Sequence, residues 1–251
     1  MVALIDADSL LYKVGFAIEE KTIWNENEVD AGLEDEYDIT YDTNLSVGIG
    51  TLESYINNIL FATGCDSAEL HFTGRNNFRD SNPLGYKEHR TGARKPEGFA
   101  LLKQFALDNY DSYVSENMEA DDVVVWKKTT YPEDYILCAM DKDVLYQTVG
   151  VHYNYNKDED VEVDEINAIK FAYWQTLAGD PSDGYKGCPG IGPKKADKLL
   201  ENIDDELQMW EVTLEAYAKA GLTEDDAINT MRLANMHQYD GKEITLWKPP
   251  K

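Results

Sequence analysis

The chain has 251 residues, 43% of them hydrophobic, so it can bury a sizeable core, and wholesale disorder is excluded. No apolar run approaches the roughly 18 residues of a membrane span, and the dispersed Cys65, Cys138 and Cys188 fit neither a disulfide framework nor a zinc site. Against 48 acids stand 23 bases, and the net charge of −25 argues, taken alone, against a nucleic-acid partner, whose usual footprint is basic.

In chain order, Val2 to Ile5 is a short apolar run that predicts a buried strand. From Glu19 to Asp42 there are ten acids and one base, Lys21, with no clear period, which predicts a solvated insertion. Leu45, Ile49, Leu52, Ile56, Ile59 and Leu60 recur at helical spacing and predict a helix up to about Thr63. Leu70 to Thr73 reads as a strand, and Pro96 opens a second helix with Leu101, Leu102 and Phe105 apolar. Tyr113 and Val114 mark another strand, followed by a helix from about Glu119 through Val123 to Trp126. Tyr135 to Met140 is a strongly apolar strand, a short helix follows from Asp141, and Val151 to Tyr155 is a further strand. Strands alternating with helices predict an α/β fold, a mostly parallel central sheet with helices on both faces. Near Asp164 the pattern turns helical: Ile166, Ile169, Tyr173, Trp174 and Leu177 form one stripe, a Gly/Pro-rich turn spans Gly179 to Pro193, and three helical stretches follow. Ile244 to Trp247 closes the chain. Residues 1–164 are therefore expected to form an α/β core and 165–251 a helical region.

Acids gather where strands end or helices begin: Asp6 and Asp8 in LIDADS, Glu119, Asp121 and Asp122 in MEADDVVV, Asp141 and Asp143 in CAMDKDVL, Asp180 and Asp183 in AGDPSDGYKG. Any one group alone reads as helix capping, where a carboxylate meets free N–H groups and the positive end of the dipole. Jointly they read differently. The C-terminal ends of parallel strands share one edge, where the ligand crevice of such sheets lies. Like charges about 4 Å apart repel by roughly 4 kcal/mol at an effective dielectric near 20, so several pairs require protonation or bound cations. All-oxygen donors without His or Cys select Mg²⁺, or Mn²⁺ in its place, over zinc. Two such ions are the arrangement that hydrolyses a phosphodiester by in-line attack.

The bases form two islands. Arg75 to Lys103 holds seven bases, among them Lys87, Arg90, Arg94 and Lys95, against three acids. Lys87 and Arg90 at i and i+3 share a face if helical, and a point-charge Lys with a forked Arg suits phosphate. Tyr86 beside them either stacks on a terminal base or packs inside. The second island, GDPSDGYKGCPGIGPKKADKLL, is neither a phosphate-binding Walker loop nor a dinucleotide fingerprint. It offers Lys186, a tight hairpin with Gly187, Gly190 and Gly192, Pro193 at a first helical position, and then Lys194 and Lys195 in the first turn. Cations there oppose the helix dipole, which predicts an anion held by backbone N–H groups and both lysines. Such an element follows a DNA backbone without reading bases.

The order IDAD, YKEHR, EADD, DKD, GDPSDGYKGCPGIGPKKA resembles the flap-endonuclease and 5′-nuclease family, which includes the 5′-nuclease domain of bacterial DNA polymerase I and, closest in pattern, podovirus exonucleases. The resemblance covers nearly the whole chain and implies a PIN-like nuclease core followed by a helix–three-turn–helix motif over about residues 179–200. It implies Asp6, Glu119 and Asp121 as ligands of a first metal ion, with Asp8 and Asp122 beside them, and Asp141, Asp143, Asp180 and Asp183 as ligands of a second. It implies Lys87 and Arg90 as the catalytic pair on the scissile phosphate, and Gly187 to Lys195 as the loop that grips duplex DNA and in relatives holds K⁺. One departure stands out. The family usually carries a further aspartate after the second strand, where this chain has Gly74, so Asp8 or Asp80 compensates or the site uses more water. The implied protein is a monomeric, cytoplasmic, Mg²⁺-dependent nuclease for double-stranded DNA with 5′ ends or flaps and for RNA–DNA hybrids, active in phage replication inside the host. A PIN-type ribonuclease and an inactive structure-specific DNA binder are the rival readings.

Overall fold

A computed structural model describes residues 1–24, 38–90 and 92–251. Six strands form the central sheet: β1 (Val2–Asp6), β4 (Ser67–Phe72), β5 (Asp111–Val114), β6 (Tyr135–Ala139), β7 (Gly150–Asn154) and β8 (Glu159–Val163), in the order β5-β4-β1-β6-β7-β8. The first five run parallel, and β8 returns antiparallel to β7. β1, at the centre, is nearly fully buried, as a strand covered on both faces must be. The predicted mostly parallel α/β sheet is therefore present.

On one face lie α1 (Asp8–Ala17), α2 (Leu45–Thr63) and α3 (Phe99–Asn109), whose Leu10, Leu11, Leu52, Ile56 and Leu102 meet Ile5, Leu70 and Phe72 of the sheet. α2 has the bounds expected from its apolar period. Asn44 caps its start by accepting from the Val47 N–H at 3.2 Å, and Gly64 ends it at φ 65°, the left-handed region where glycine costs least. α3 starts at Phe99 rather than Pro96, because the Phe99 N–H closes a tight turn onto the Pro96 carbonyl at 3.0 Å. On the other face, α4 (Ala120–Thr130) and α5 (Lys142–Tyr146) bury Val124, Val125, Val144 and Leu145 against Leu4 and Leu137.

The acidic insertion departs from expectation. Its flanks form an antiparallel hairpin of β2 (Glu19–Trp24) and β3 (Asp38–Thr43), and Glu26, Glu28, Asp30, Glu34, Asp35 and Glu36 lie outside the described residues. Glu19 ties the hairpin down: it holds Arg94 bidentately at 2.5 and 2.7 Å and accepts the Glu97 N–H at 2.9 Å.

The rest of the chain is helical, with α6 (Glu165–Ala178), α7 (Pro193–Leu200), α8 (Glu206–Lys219) and α9 (Glu224–Ala234) around Tyr173, Leu177, Leu200, Trp210 and Met231. A two-stranded ribbon of β9 (Gly179–Asp180) and β10 (Tyr185–Lys186) joins α6 to the loop before α7. No helix among the described residues is long and apolar enough to cross a membrane.

The helices are locked to the sheet through Arg79, which is 1% exposed. Its guanidinium pairs with both Asp122 oxygens at 2.7 Å and donates to the carbonyls of Leu233 at 3.3 Å and Asn235 at 3.1 Å.

Candidate active site

The sheet order brings the acids together. β5, β4, β1 and β6 are neighbours, and Glu119 and Asp121 follow β5, Asp6 ends β1, and Asp141 and Asp143 follow β6. Asp180 and Asp183, from β9 and its turn, meet the same group. Gln175 of α6 donates to Asp143 at 2.7 Å and to Asp180 at 3.3 Å. The charge of Asp183 is felt with that of Glu119 through shared partners: Tyr86 Oη lies 2.6 Å from Glu119 and 3.1 Å from Asp183.

Their titration shows how strongly they act on each other. Burial, then the charges of Asp8 and Asp141, push the Asp6 carboxyl up to about 8. Asp121 is raised well above the carboxylate range by burial and then by Asp6, Glu119 and Asp141. Asp143 is pushed up to about 7 by burial and Asp141, and burial likewise raises Asp183. Two acids go the other way because lysines offset their burial. Lys87 and Arg79 hold Glu119 below its ordinary value, and Lys142 with Ser182 does the same for Asp180.

Lys87 Nζ lies 2.7 Å from Glu119 and 3.4 Å from Asp183, bridging the two acid groups. Burial works against its charge, but Glu119, Asp183 and Asp121 more than offset this and raise its pKa. Arg90 donates to the Ser182 carbonyl at 2.6 Å and to Asp183 at 3.2 Å. The segment is no α-helix. Lys87 has φ 51° and leads into a single 3₁₀ turn, Glu88–Arg90. The two side chains nonetheless converge, Lys87 Nζ lying 3.4 Å and Arg90 Nη2 3.2 Å from the same Asp183 oxygen.

Asp8 accepts the Thr73 N–H at 2.6 Å, and its charge reaches Asp6, Tyr12 and Lys103. Gly74 is sterically enforced: a Cβ there would stand 2.0 Å from the Ser115 carbonyl oxygen. A carboxylate cannot occupy that position on this backbone. Asp8 bonds the adjoining peptide, whereas Asp80 is turned away to cap its own 3₁₀ turn through the Asn77 N–H at 3.2 Å.

Three side chains read from sequence as site or contact residues have other partners. Both oxygens of Asp122 belong to Arg79, so this acid is a structural anchor rather than part of the cluster. Tyr86 is 6% exposed and bonded to carboxylates, which leaves no face for a terminal base to stack on. Arg94 is held by Glu19 and lies 3.7 Å over the Tyr41 ring. Lys95 remains exposed beside Phe99, its Nζ 4.7 Å from the ring centroid. The sequence reading missed Lys142, which lies 2.5 Å from Asp180 and 3.4 Å from Asp143. It also missed Gln175 and Tyr185. The DKD spacing was the available signal for Lys142, and a basic residue between two acids is easily read as mere surface.

The loop before α7 has the predicted build. Gly187 packs so closely that a Cβ would lie 2.3 Å from the Gly179 nitrogen. Gly190 has φ 77°, and Gly192 precedes Pro193 at the helix start. Lys186, Lys194 and Lys195 are exposed, and Lys195 Nζ folds back to the Gly190 carbonyl at 2.7 Å. Between this loop and the 84–89 segment lies a cleft of about 630 Å³, lined by Tyr86, His89, Gly184, Tyr185 and Lys186.

Among the described residues, no three carboxylate, imidazole or thiol side chains stand arranged to hold an ion as they are. The donors nonetheless suit one chemically. They are all hard oxygens, their repulsion is relieved only in part, and Lys87 and Lys142 take the places on the carboxylates that a divalent cation would claim. Withdrawal of two partly exposed lysines would free those oxygens.

No family model matches the chain. It is 25% identical over 230 residues to the exodeoxyribonuclease of Enterobacteria phage T3, covering 72% of each chain. It is equally identical to the exonuclease of Escherichia phage T7, covering 72% of this chain and 73% of that one. The structure superposes on the flap endonuclease of bacteriophage T5, solved with DNA and metal ions, at a TM-score of 0.66 with 13% identity, covering 95% and 90% of the two chains. Acids from four segments thus meet at one sheet edge in a chain that is similar in sequence to these phage exonucleases and shares the fold of the T5 flap endonuclease.

Proposed function

We propose that the chain is a divalent-metal-dependent nuclease that attacks DNA from 5′ ends or 5′ flaps, with residues 1–164 as the nuclease core and 165–251 as the duplex-binding part. The observation that carries this reading is the convergence of eight carboxylates with Lys87 and Arg90 at the C-terminal edge of β5, β1 and β6. Asp6, Asp8, Glu119 and Asp121 would hold one Mg²⁺ or Mn²⁺ and Asp141, Asp143, Asp180 and Asp183 a second, the ions supplying an activated water and charge for the departing oxygen. The chain's own residues do the rest. Lys87 and Arg90 exchange Glu119 and Asp183 for the scissile phosphate, Lys87 as a point charge and Arg90 as a fork. Lys142 leaves Asp180 and Asp143 for solvent. The loop before α7 grips the duplex backbone away from the cut. A role in clearing primers or resecting 5′ ends in phage replication, in the host cytoplasm, fits the phage relatives.

The test is end-labelled duplex and flapped DNA incubated with Mg²⁺, with and without EDTA. The expected result is release from the 5′ end that stops on chelation. Release from 3′ ends, cleavage that survives EDTA, or preference for RNA alone would each overturn the reading.

Duplex binding should depend on salt through the lysines. Each phosphate contact contributes about 0.9 to the slope of log K against log salt. Replacing Lys194 and Lys195 together by alanine should weaken binding and flatten that slope by about 2, measured by fluorescence anisotropy in Ca²⁺. An unchanged slope would remove both lysines from the interface.

A further inference from the structure

We propose that Tyr185 is a positioning residue for the second carboxylate group: its hydroxyl is the donor that orients Asp180 once a divalent cation has taken the place of Lys142. The proposal rests on the nuclease reading above and deepens it.

Tyr185 is 3% exposed and packs with Tyr86, Leu233 and Ala234. Its buried hydroxyl has no hydrogen-bond partner. The large majority of buried hydroxyls are paired, so a lone one calls for an explanation. The ribbon supplies one. Tyr185 stands directly opposite Asp180 in the β9–β10 register. Directly opposed residues share a face, with Cβ atoms about 4.5–5.5 Å apart. The donor is therefore built beside the carboxylates and unused in this arrangement.

Asp180 is at present fully engaged. Its Oδ1 takes the Ser182 N–H at 2.8 Å and the Ser182 hydroxyl at 2.5 Å. Its Oδ2 takes Lys142 at 2.5 Å and Gln175 at 3.3 Å. Of these partners Lys142 alone is charged, and its side chain is 45% exposed. It is also the one a divalent cation would repel. Its departure takes one hydrogen-bond donor away from the Asp180 carboxylate. Tyr185, opposite Asp180 in the ribbon, can supply a donor to that carboxylate without adding charge beside the cation, which Lys142 could not. Neighbouring Tyr86 already plays such a part, donating to Glu119 at 2.6 Å. Donors behind metal-binding side chains fix their orientation and tune affinity.

The test compares the wild-type chain with Tyr185→Phe, counting free Mn²⁺ by electron paramagnetic resonance and recording thermal melts in EDTA. The expected result is an unchanged melt in EDTA, with the affinity of one Mn²⁺ lowered about tenfold or more and the other unaltered. Unchanged affinity for both ions would overturn the proposal while leaving the nuclease reading intact. A melt in EDTA that falls with Tyr185→Phe would give the hydroxyl a partner in the metal-free fold and overturn it as well. If the wild-type chain binds no Mn²⁺, both the proposal and the metal-dependent reading fall.

Discussion

Replacing Arg79 by alanine should lower stability by about 3–5 kcal/mol, the usual loss when one member of a buried ion pair is removed. For a chain of this size that corresponds to a fall in Tm of roughly 6–20 °C. The effect is large because both side chains are wholly buried and every guanidinium contact is specific. Without Arg79, the Asp122 carboxylate keeps the Glu119 N–H at 3.2 Å, the Leu233 carbonyl loses its guanidinium donor, and the Asn235 carbonyl is left with the Gln238 amide at 2.9 Å. The Arg79 alkyl and guanidinium surface also packs 4.5 Å from the Phe78 ring centroid, so a cavity adds to the electrostatic loss. Arg79→Met combined with Asp122→Leu should recover much of the loss, since an apolar pair strands no charge. Urea or thermal unfolding checks both. A single-variant cost below about 1 kcal/mol, as expected of an exposed pair, would place the ion pair outside the load path of the fold. The consequence reaches the site as well. Asp122 opens α4 beside Glu119 and Asp121, so loosening the pair should disturb the carboxylates it helps to place.

Arg79 also shows what the sequence alone could and could not disclose. In the sequence it is one of the seven bases between Arg75 and Lys103, yet its partner lies 43 residues on and its carbonyl acceptors more than 150. No local pattern marks such a residue, and only the fold reveals it. The elements that could be read were those whose periodicity was strong: the apolar runs of β1 and β6 and the helical stripes of α2 and α6. The convergence of Asp6, Glu119 and Asp141 was equally legible, because a parallel sheet obliges its strand ends to share an edge. α1 is hidden in the sequence because its first turn follows β1 with only Ala7 between them, so that Asp8 reads as an acid at a strand end. β8, EDVEV, escaped because only Val161 and Val163 are buried and acids fill the rest. The β2–β3 hairpin was hidden by acids, which are poor strand formers, and it depends on a long-range clamp between Glu19 and Arg94. The partners of Tyr86 and Lys142 were invisible for the same reason as those of Arg79.

Asp6→Asn should abolish cleavage and, in metal-free protein, increase stability at alkaline pH. The folded Asp6 carboxyl titrates near 8 against 3.8 for the free group. A group whose folded pKa is raised stabilises the fold fully below its unfolded pKa, and that contribution is lost as pH climbs through the folded value. For Asp6 the loss runs between about 4 and about 8, and Asp143, pushed up to about 7, adds to it over much of the same window. Glu119 and Asp180, held low by lysines, have the opposite sign and lose stability only as pH falls into the acid range. In EDTA, the Tm of the variant minus that of the wild type should therefore grow from pH 6 to pH 9, because asparagine has no charge to force into the cluster. Mn²⁺ should reverse the order at pH 9 by neutralising the very carboxylates whose repulsion lowers the Tm in EDTA. A Tm difference that stays constant with pH would mean that Asp6 titrates freely and that the carboxylates do not share one electrostatic site. On the proposed metal-dependent reading, the same repulsion that weakens the metal-free fold would drive its loading, and the stability lost at alkaline pH would measure that drive.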